Sequence, residues 1–130
     1  MRKTLLPEGW VAPRGYSNGI LTQGGQTIYV GGQIGWNTQA EFETDDFVDQ
    51  VRQTLQNVRD VLEAGGAGPE HMVRMTWYIT DKQAYANNLR PIGQAYRDVM
   101  GKNFPVMSVV QVAALIEDRA QVEIEVTAVL

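Results

Sequence analysis

The stretch "AQVEIEVTAV", residues 120–129, alternates in character: Val122, Ile124 and Val126 fall on one side, Glu123 and Glu125 on the other. A period of two is that of a β-strand, whose successive side chains point to opposite faces. The two carboxylates then share one face, roughly 6.5–7 Å apart at the backbone. Such a strand presents one face to a core and the other to something else, and the rest of the chain must supply both.

Working outward, "VMSVVQVAAL" at 106–115 is a second strand, separated from the first by the polar turn Ile116-Glu117-Asp118-Arg119. "HMVRMTWYIT" at 71–80 alternates as well, with Val73, Met75, Trp77 and Ile79 expected on the core face and Arg74, Thr76, Tyr78 and Thr80 opposite. In "GILTQGGQTIYVGG", 19–32, two β-rich runs flank Gly24-Gly25, a dipeptide that supplies the positive φ angles of a tight turn, so a hairpin is expected. Between Asp46 and Ala64 the apolar residues Phe47, Val48, Val51, Leu55, Val58, Val61 and Leu62 recur every three or four positions. That is an amphipathic helix, with Thr44 or Asp45 able to cap its start and Gly65 its end. Leu89, Ile92, Tyr96, Val99 and Met100 predict a second helix; Pro91 is tolerated because the helix begins just before it, with Asn88 as cap and Gly101 as stop.

The order is β-β-α-β-α-β-β, an α+β fold with one mixed sheet and both helices on one face. Helices on one face leave the other uncovered, and a sheet rich in Val, Ile and Trp then favours self-association. At 130 residues and 44% apolar composition the chain suits one domain, 1–130, with no repeat or linker. A net charge of −4 opposes a nucleic-acid partner or an anionic membrane surface, both of which need clustered Lys and Arg. The absence of cysteine removes disulfides, thiolate nucleophiles and thiolate metal sites, and the lone His71 cannot build a multi-histidine centre. "MRKTLLPEGW" has only a two-leucine apolar core before Pro7 and Glu8, too little for a signal peptide, so a cytoplasmic protein is expected.

Few residues invite chemistry. Glu123 and Glu125 are either a solvated acidic strand face or a carboxylate near an interface, desolvated enough to hold a water. "VGGQIGWN", 30–37, pairs Gly31 and Gly32 at a strand end with Gln33 and Trp36. These glycines either form a bulge or let a ligand approach backbone N–H groups. The G-x-G-x-x-G spacing of dinucleotide sites is absent. Arg14 and Tyr16 lie in the loop "PRGYSNG", 13–19; His71 reads as a surface residue, Trp77 and Tyr78 as sheet packing, and Ser108 lacks a histidine base.

Taken together, "GYSNG", "VGGQIGWN", "VRQTLQNVRDVLEAGGAG", "VRMTWYITD", "FPVMSVVQVAAL" and "VEIEVTAV" resemble the YjgF/RidA family of small enamine/imine deaminases, over nearly the whole chain. The resemblance implies a chorismate-mutase-like α+β fold in which three subunits join their sheets around a central β-barrel, with small-molecule pockets between neighbours. It implies hydrolysis of 2-imino acids to 2-oxo acids and ammonia with no cofactor. Residue by residue it puts the family's tyrosine on Tyr16, its glycine pair on Gly31 and Gly32, its water-positioning glutamate on Glu123, and a helix position that often carries asparagine near Gly93.

One position departs. "PVMS" stands where the family pattern reads P-x-R-[ST], so Met107 occupies the place of the arginine that clamps the substrate carboxylate. A thioether neither carries charge nor donates a hydrogen bond. Losing a charge-assisted bidentate contact removes about 2–5 kcal/mol of binding. The expectation is a diverged hydrolase acting on a C=N or enamine substrate, inefficient toward 2-iminopropanoate, with Glu123 catalytic and Arg14 a substitute cation beside Tyr16, Gly31, Gly32, Gln33, Trp36, Met107 and Ser108. The alternative is a pocket that binds a metabolite without turning it over; RNA cleavage is a poor third for so acidic a chain.

Overall fold

The strand at 122–129 becomes the one around which the others are arranged. A computed structural model describes residues 1–130. The chain runs β1 (Arg2–Leu5), β2 (Gly19–Thr22), β3 (Thr27–Ile34), α1 (Phe47–Ala64), β4 (Met72–Ile79), α2 (Lys82–Ala86), α3 (Leu89–Met100), β5 (Val106–Gln111) and β6 (Val122–Val129), with a 3₁₀ turn at Pro69–His71. Four strands form one mixed sheet in the order β3-β6-β4-β5. β6 is antiparallel to both neighbours, whereas β4 and β5 are parallel. A parallel pair requires a crossover, and α2 with α3 provides it.

The alternation of β6 decides where the core lies. Val122, Ile124, Val126 and Ala128 are buried with Met75, Trp77 and Ile79 of β4. Val51, Leu55, Val58 and Leu62 of α1 and Ile92, Tyr96, Val99 and Met100 of α3 join the same cluster. The α+β class and the placement of both long helices on one face thus match the expectation, but β1 and β2 form a separate two-stranded antiparallel sheet, so the single sheet expected from the sequence does not take in β2. Each fully buried aliphatic side chain contributes about 1.5–3 kcal/mol relative to exposure. No helix is long and apolar enough to cross a membrane.

Local signals explain the ends of α1. Its N-cap is Asp46, neither Thr44 nor Asp45: the Asp46 carboxylate accepts from the Asp49 N–H at 3.0 Å. Thr44, two residues upstream, instead accepts from the Asp46 N–H at 3.0 Å. Gly65 ends the helix as expected, and Gly66, at φ +81°, carries the left-handed residue of a Schellman motif. Gly66 N–H donates to the Glu63 carbonyl at 3.0 Å and Ala67 N–H to that of Leu62 at 2.9 Å.

Four other expectations change. Gly24 and Gly25 do adopt positive φ, but β2 pairs with β1 and β3 pairs with β6, so no β2–β3 hairpin forms. Gln26 and Leu130 exchange N–H···O bonds of 2.7 and 2.9 Å, so the chain leaves the turn already committed to the end of β6. β1 escapes sequence reading because all four of its residues are exposed and show no alternation. In β4 a register shift between Met72 and Arg74 turns Met72 into the core and leaves Val73 half-buried. Leu89 is 58% exposed rather than core, and the short α2, capped by Asp81, precedes α3.

One buried polar side chain fastens the helix layer to the sheet. Gln50, fully buried on α1, donates to the carbonyls of Thr44 and Arg119 at 3.1 and 3.0 Å and accepts from the Gln121 N–H at 2.9 Å. Gly35 lets the end of β3 pass against it, for a Cβ there would lie 2.8 Å from Gln50 Cβ. Gln50→Met keeps the volume but orphans three backbone groups, and is expected to cost about 2–3 kcal/mol in urea unfolding.

Candidate functional site

The glycine pair is a bulge. Val30 pairs with Val126 and Gln33 with Ile124, so Gly31 and Gly32 both fall opposite Glu125. The kink brings the Gly32 backbone against Glu123, where a Cβ would stand 2.8 Å from the carboxyl carbon. Gln33 Nε2 donates to the Gly31 carbonyl at 3.1 Å, in the same neighbourhood. This group lies beside the sheet face left open by the helices. On that face the Tyr78 hydroxyl donates to Glu125 at 2.8 Å, and the hydrogen bond with the neighbouring carboxylates holds the phenol above its usual range.

A second group forms at the other edge of the sheet, on the helix side. The loop before β2 is pinned to the start of β5: Ser17 Oγ donates to the Phe104 carbonyl at 2.6 Å and Ser17 N–H to that of Pro105 at 3.0 Å. That bracket brings Arg14 and Tyr16 over Met107, where they join α2 and α3 around a cavity of about 360 Å³. Its walls are aromatic. Trp77 meets Tyr85 edge-on at 6.0 Å, and Tyr96 stacks on Phe104 at 5.6 Å.

The pleat separates the two groups. Met107 pairs with Met75 and shares its helix-covered face, whereas Glu123 pairs with Tyr78 on the open face. With β4 between β5 and β6, the two strands lie about 10 Å apart. Within one chain, then, Arg14, Tyr16 and Met107 come together, Gly31, Gly32, Gln33 and Glu123 come together, and the two sets do not meet. Ser108, the neighbour of Met107, is exposed and pairs with Thr76. Trp36 packs on Phe42 at 5.9 Å and its carbonyl accepts from Asn57 at 2.8 Å, away from the cavity.

Sequence reasoning misses several cavity residues. Trp77 reads as sheet packing; it is buried, but it also forms a cavity wall, and its indole nitrogen has no hydrogen-bond partner. Arg97 lies one helical turn beyond Gly93 and lines the cavity with it. The recurrence of 89, 93 and 97 at i, i+4 spacing is the signal that could have found it. His71 is not a free surface residue: its Nδ1 accepts from the Gly68 N–H at 3.0 Å, closing the 3₁₀ turn.

The arrangement is that of an α+β protein, a four-stranded mixed sheet backed by helices, with an aromatic-walled cleft of the size small ligands occupy. A family model described as Endoribonuclease L-PSP matches residues 10–130. The human 2-iminobutanoate/2-iminopropanoate deaminase is 29% identical over 127 residues, 97% of this chain and 86% of that protein. YyfB of Yersinia pestis, from the conserved Rid protein family, superposes with a TM-score of 0.88 at 31% identity, over 99% of this chain and 98% of that one. Escherichia coli TdcF, solved with bound serine, gives 0.69 at 32% identity, over 94% and 91%. The chain belongs to the YjgF/RidA family.

Burial holds the Tyr85 and Tyr96 phenols neutral, raising both above the ordinary value of 10.0. The folded chain therefore keeps protons that the unfolded chain loses, so this contribution to stability is complete below pH 10.0 and declines as pH rises past it. In an alkaline titration followed by phenolate absorbance, three of the five tyrosines should ionise late, Tyr78 in the folded chain and the buried Tyr85 and Tyr96 together with unfolding.

Proposed function

We propose that this protein is a small-molecule hydrolase that opens a C=N or enamine substrate, with its site completed between two copies of the chain. One copy supplies the cavity bounded by Arg14, Tyr16 and Met107, and its neighbour supplies Glu123 with the bulged glycines. The observation that carries this reading is the separation of the two groups by the pleat, which no side-chain motion within one chain removes. The open sheet face supports self-association, and a homotrimer is the assembly the family resemblance implies.

In the reaction Glu123 accepts a proton from water as the water oxygen bonds to the imine carbon. That proton passes to nitrogen to give a carbinolamine. Glu123 then carries the hydroxyl proton to the same nitrogen as the C–N bond breaks and the C=O bond forms, so that a carbonyl compound and ammonia leave. An enamine first takes a proton on carbon and gives one up from nitrogen to become the imine. The Gly32 backbone keeps Glu123 in place, and the uncharged Met107 weakens the hold on a three-carbon imino acid. A second reading, binding without turnover, is supported by the preponderance of hydrophobic residues in the cavity wall, nine of thirteen.

The test uses imines generated from alanine, leucine and phenylalanine by an amino-acid oxidase, with ammonia release as readout. Glu123→Gln is expected to lower turnover by about 10²–10⁴-fold, the usual range for loss of a general base, while ligand-induced rises in Tm persist. Met107→Arg is expected to raise kcat/KM for 2-iminopropanoate by about 10–100-fold by restoring a carboxylate clamp. Absence of turnover of any imine by the wild type, with ligand still raising Tm, would leave the binding reading in its place.

A further inference from the structure

The charge of the cavity runs against that of the chain. The protein carries 15 acidic and 11 basic residues, yet the thirteen residues that one chain contributes to the cavity include two arginines and no carboxylate. Neither Arg14 nor Arg97 takes part in an ion pair. Arg97 makes one weak hydrogen bond, Nη2 donating to Gln94 at 3.3 Å, which leaves most of its guanidinium fork unengaged. It is also placed by a specific vacancy on α3: a Cβ at Gly93 would lie 3.3 Å from Arg97 Nη1, so glycine there lets the guanidinium lie down along the helix toward the cavity.

We propose that Arg97, with Arg14 in support, is the anion-binding residue of this cavity, and that its ligand is a carboxylic acid carrying a flat aromatic or large apolar body. Both arginines are exposed, but Arg97 is the principal anchor because it is rooted in a regular helix held to the core through Ile92, Tyr96 and Val99, while Arg14 sits on a loop. A guanidinium fork matches a carboxylate with two parallel N–H···O bonds. The body of the ligand lies against Trp77, Tyr85, Phe104 and Met107, where an aromatic ring gains both area and favourable ring geometry. A cavity of about 360 Å³ is larger than a three-carbon acid needs, and falls in the range that encloses ring-bearing ligands. Met107 then has a positive role, since a flexible thioether packs well on an aromatic edge where an arginine would put a third charge.

This deepens the proposed function by naming its substrate class, and it rests on the cavity being the ligand site. The test is calorimetric titration of the full-length protein with 3-phenylpropanoate, its neutral analogue 3-phenylpropanamide, and propanoate. The wild type is expected to bind the phenyl acid at least about tenfold more tightly than either comparison compound, as for a single charge-assisted contact and a buried ring. Arg97→Gln is expected to erase the preference for acid over amide while leaving amide affinity and Tm unchanged; Arg97→Lys should restore part of it, and Arg14→Gln should reduce it less. Equal binding of acid and amide by the wild type, an acid preference that survives in Arg97→Gln, or no binding of either phenyl compound would overturn the proposal. The hydrolase reading fails separately: if phenyl acid binds through Arg97 but no imine is turned over, the anion site stands and the catalysis does not.

Discussion

Everything in this structure depends on the two-residue period of β6 and on its position between β3 and β4. Four apolar residues facing one way supply the centre of the core, and the intervening Glu123, Glu125 and Thr127 are thereby sent to the opposite face. A pleated strand offers no intermediate orientation, and a one-residue slip would exchange the two sets and expose the core. Core formation and placement of the acidic residues are therefore one event. The same rule applied to β5, through its pairing with β4, puts Met107 on the covered face and Ser108 on the open one.

The second constraint is how the helix layer is fixed to this sheet. Apolar burial is non-directional and would tolerate α1 at several positions along the strands. Buried hydrogen bonds remove that freedom. Gln50 joins the start of α1 to both Arg119 and Gln121 before β6, and Asn57 Nδ2 donates to the carbonyls of Ile34 and Trp36 after β3, at 2.9 and 2.8 Å. These contacts set the ends of the two strands that carry the bulged glycines and Glu123. The carboxylate is thus positioned by packing on the far side of the sheet from itself.

Membership of the YjgF/RidA family is carried by the family-model match across residues 10–130 and by structural likeness to Rid proteins. The cavity gives that membership a particular chemical character. Its two arginines come from a loop and from α3, its walls are largely aromatic, and the neutral Met107 forms part of the apolar lining. Both arginines are exposed and outside any ion pair, so their guanidinium donors are open to a ligand rather than engaged in holding the fold together.

Much of the fold was legible in the sequence because it depends on short-range periodicity. The α1 stripe, the alternation of β4 and β6, the stop at Gly65 and the positive φ of Gly24 and Gly25 are properties of a few neighbouring residues. Pairing was not legible in the same way: β2 joins β1, β3 joins β6, and the slip that turns Met72 inward depends on its partner strand. The site divides along the same line. Glycines beside a strand and a glutamate within one can be read from residue order, whereas a meaning for Met107 comes only from the family resemblance. That Arg97 meets Arg14 across 83 positions of chain, while Glu123 and Met107 stay on opposite faces, was decided only by tertiary structure, because contacts between distant segments come from packing whole elements and leave no local pattern.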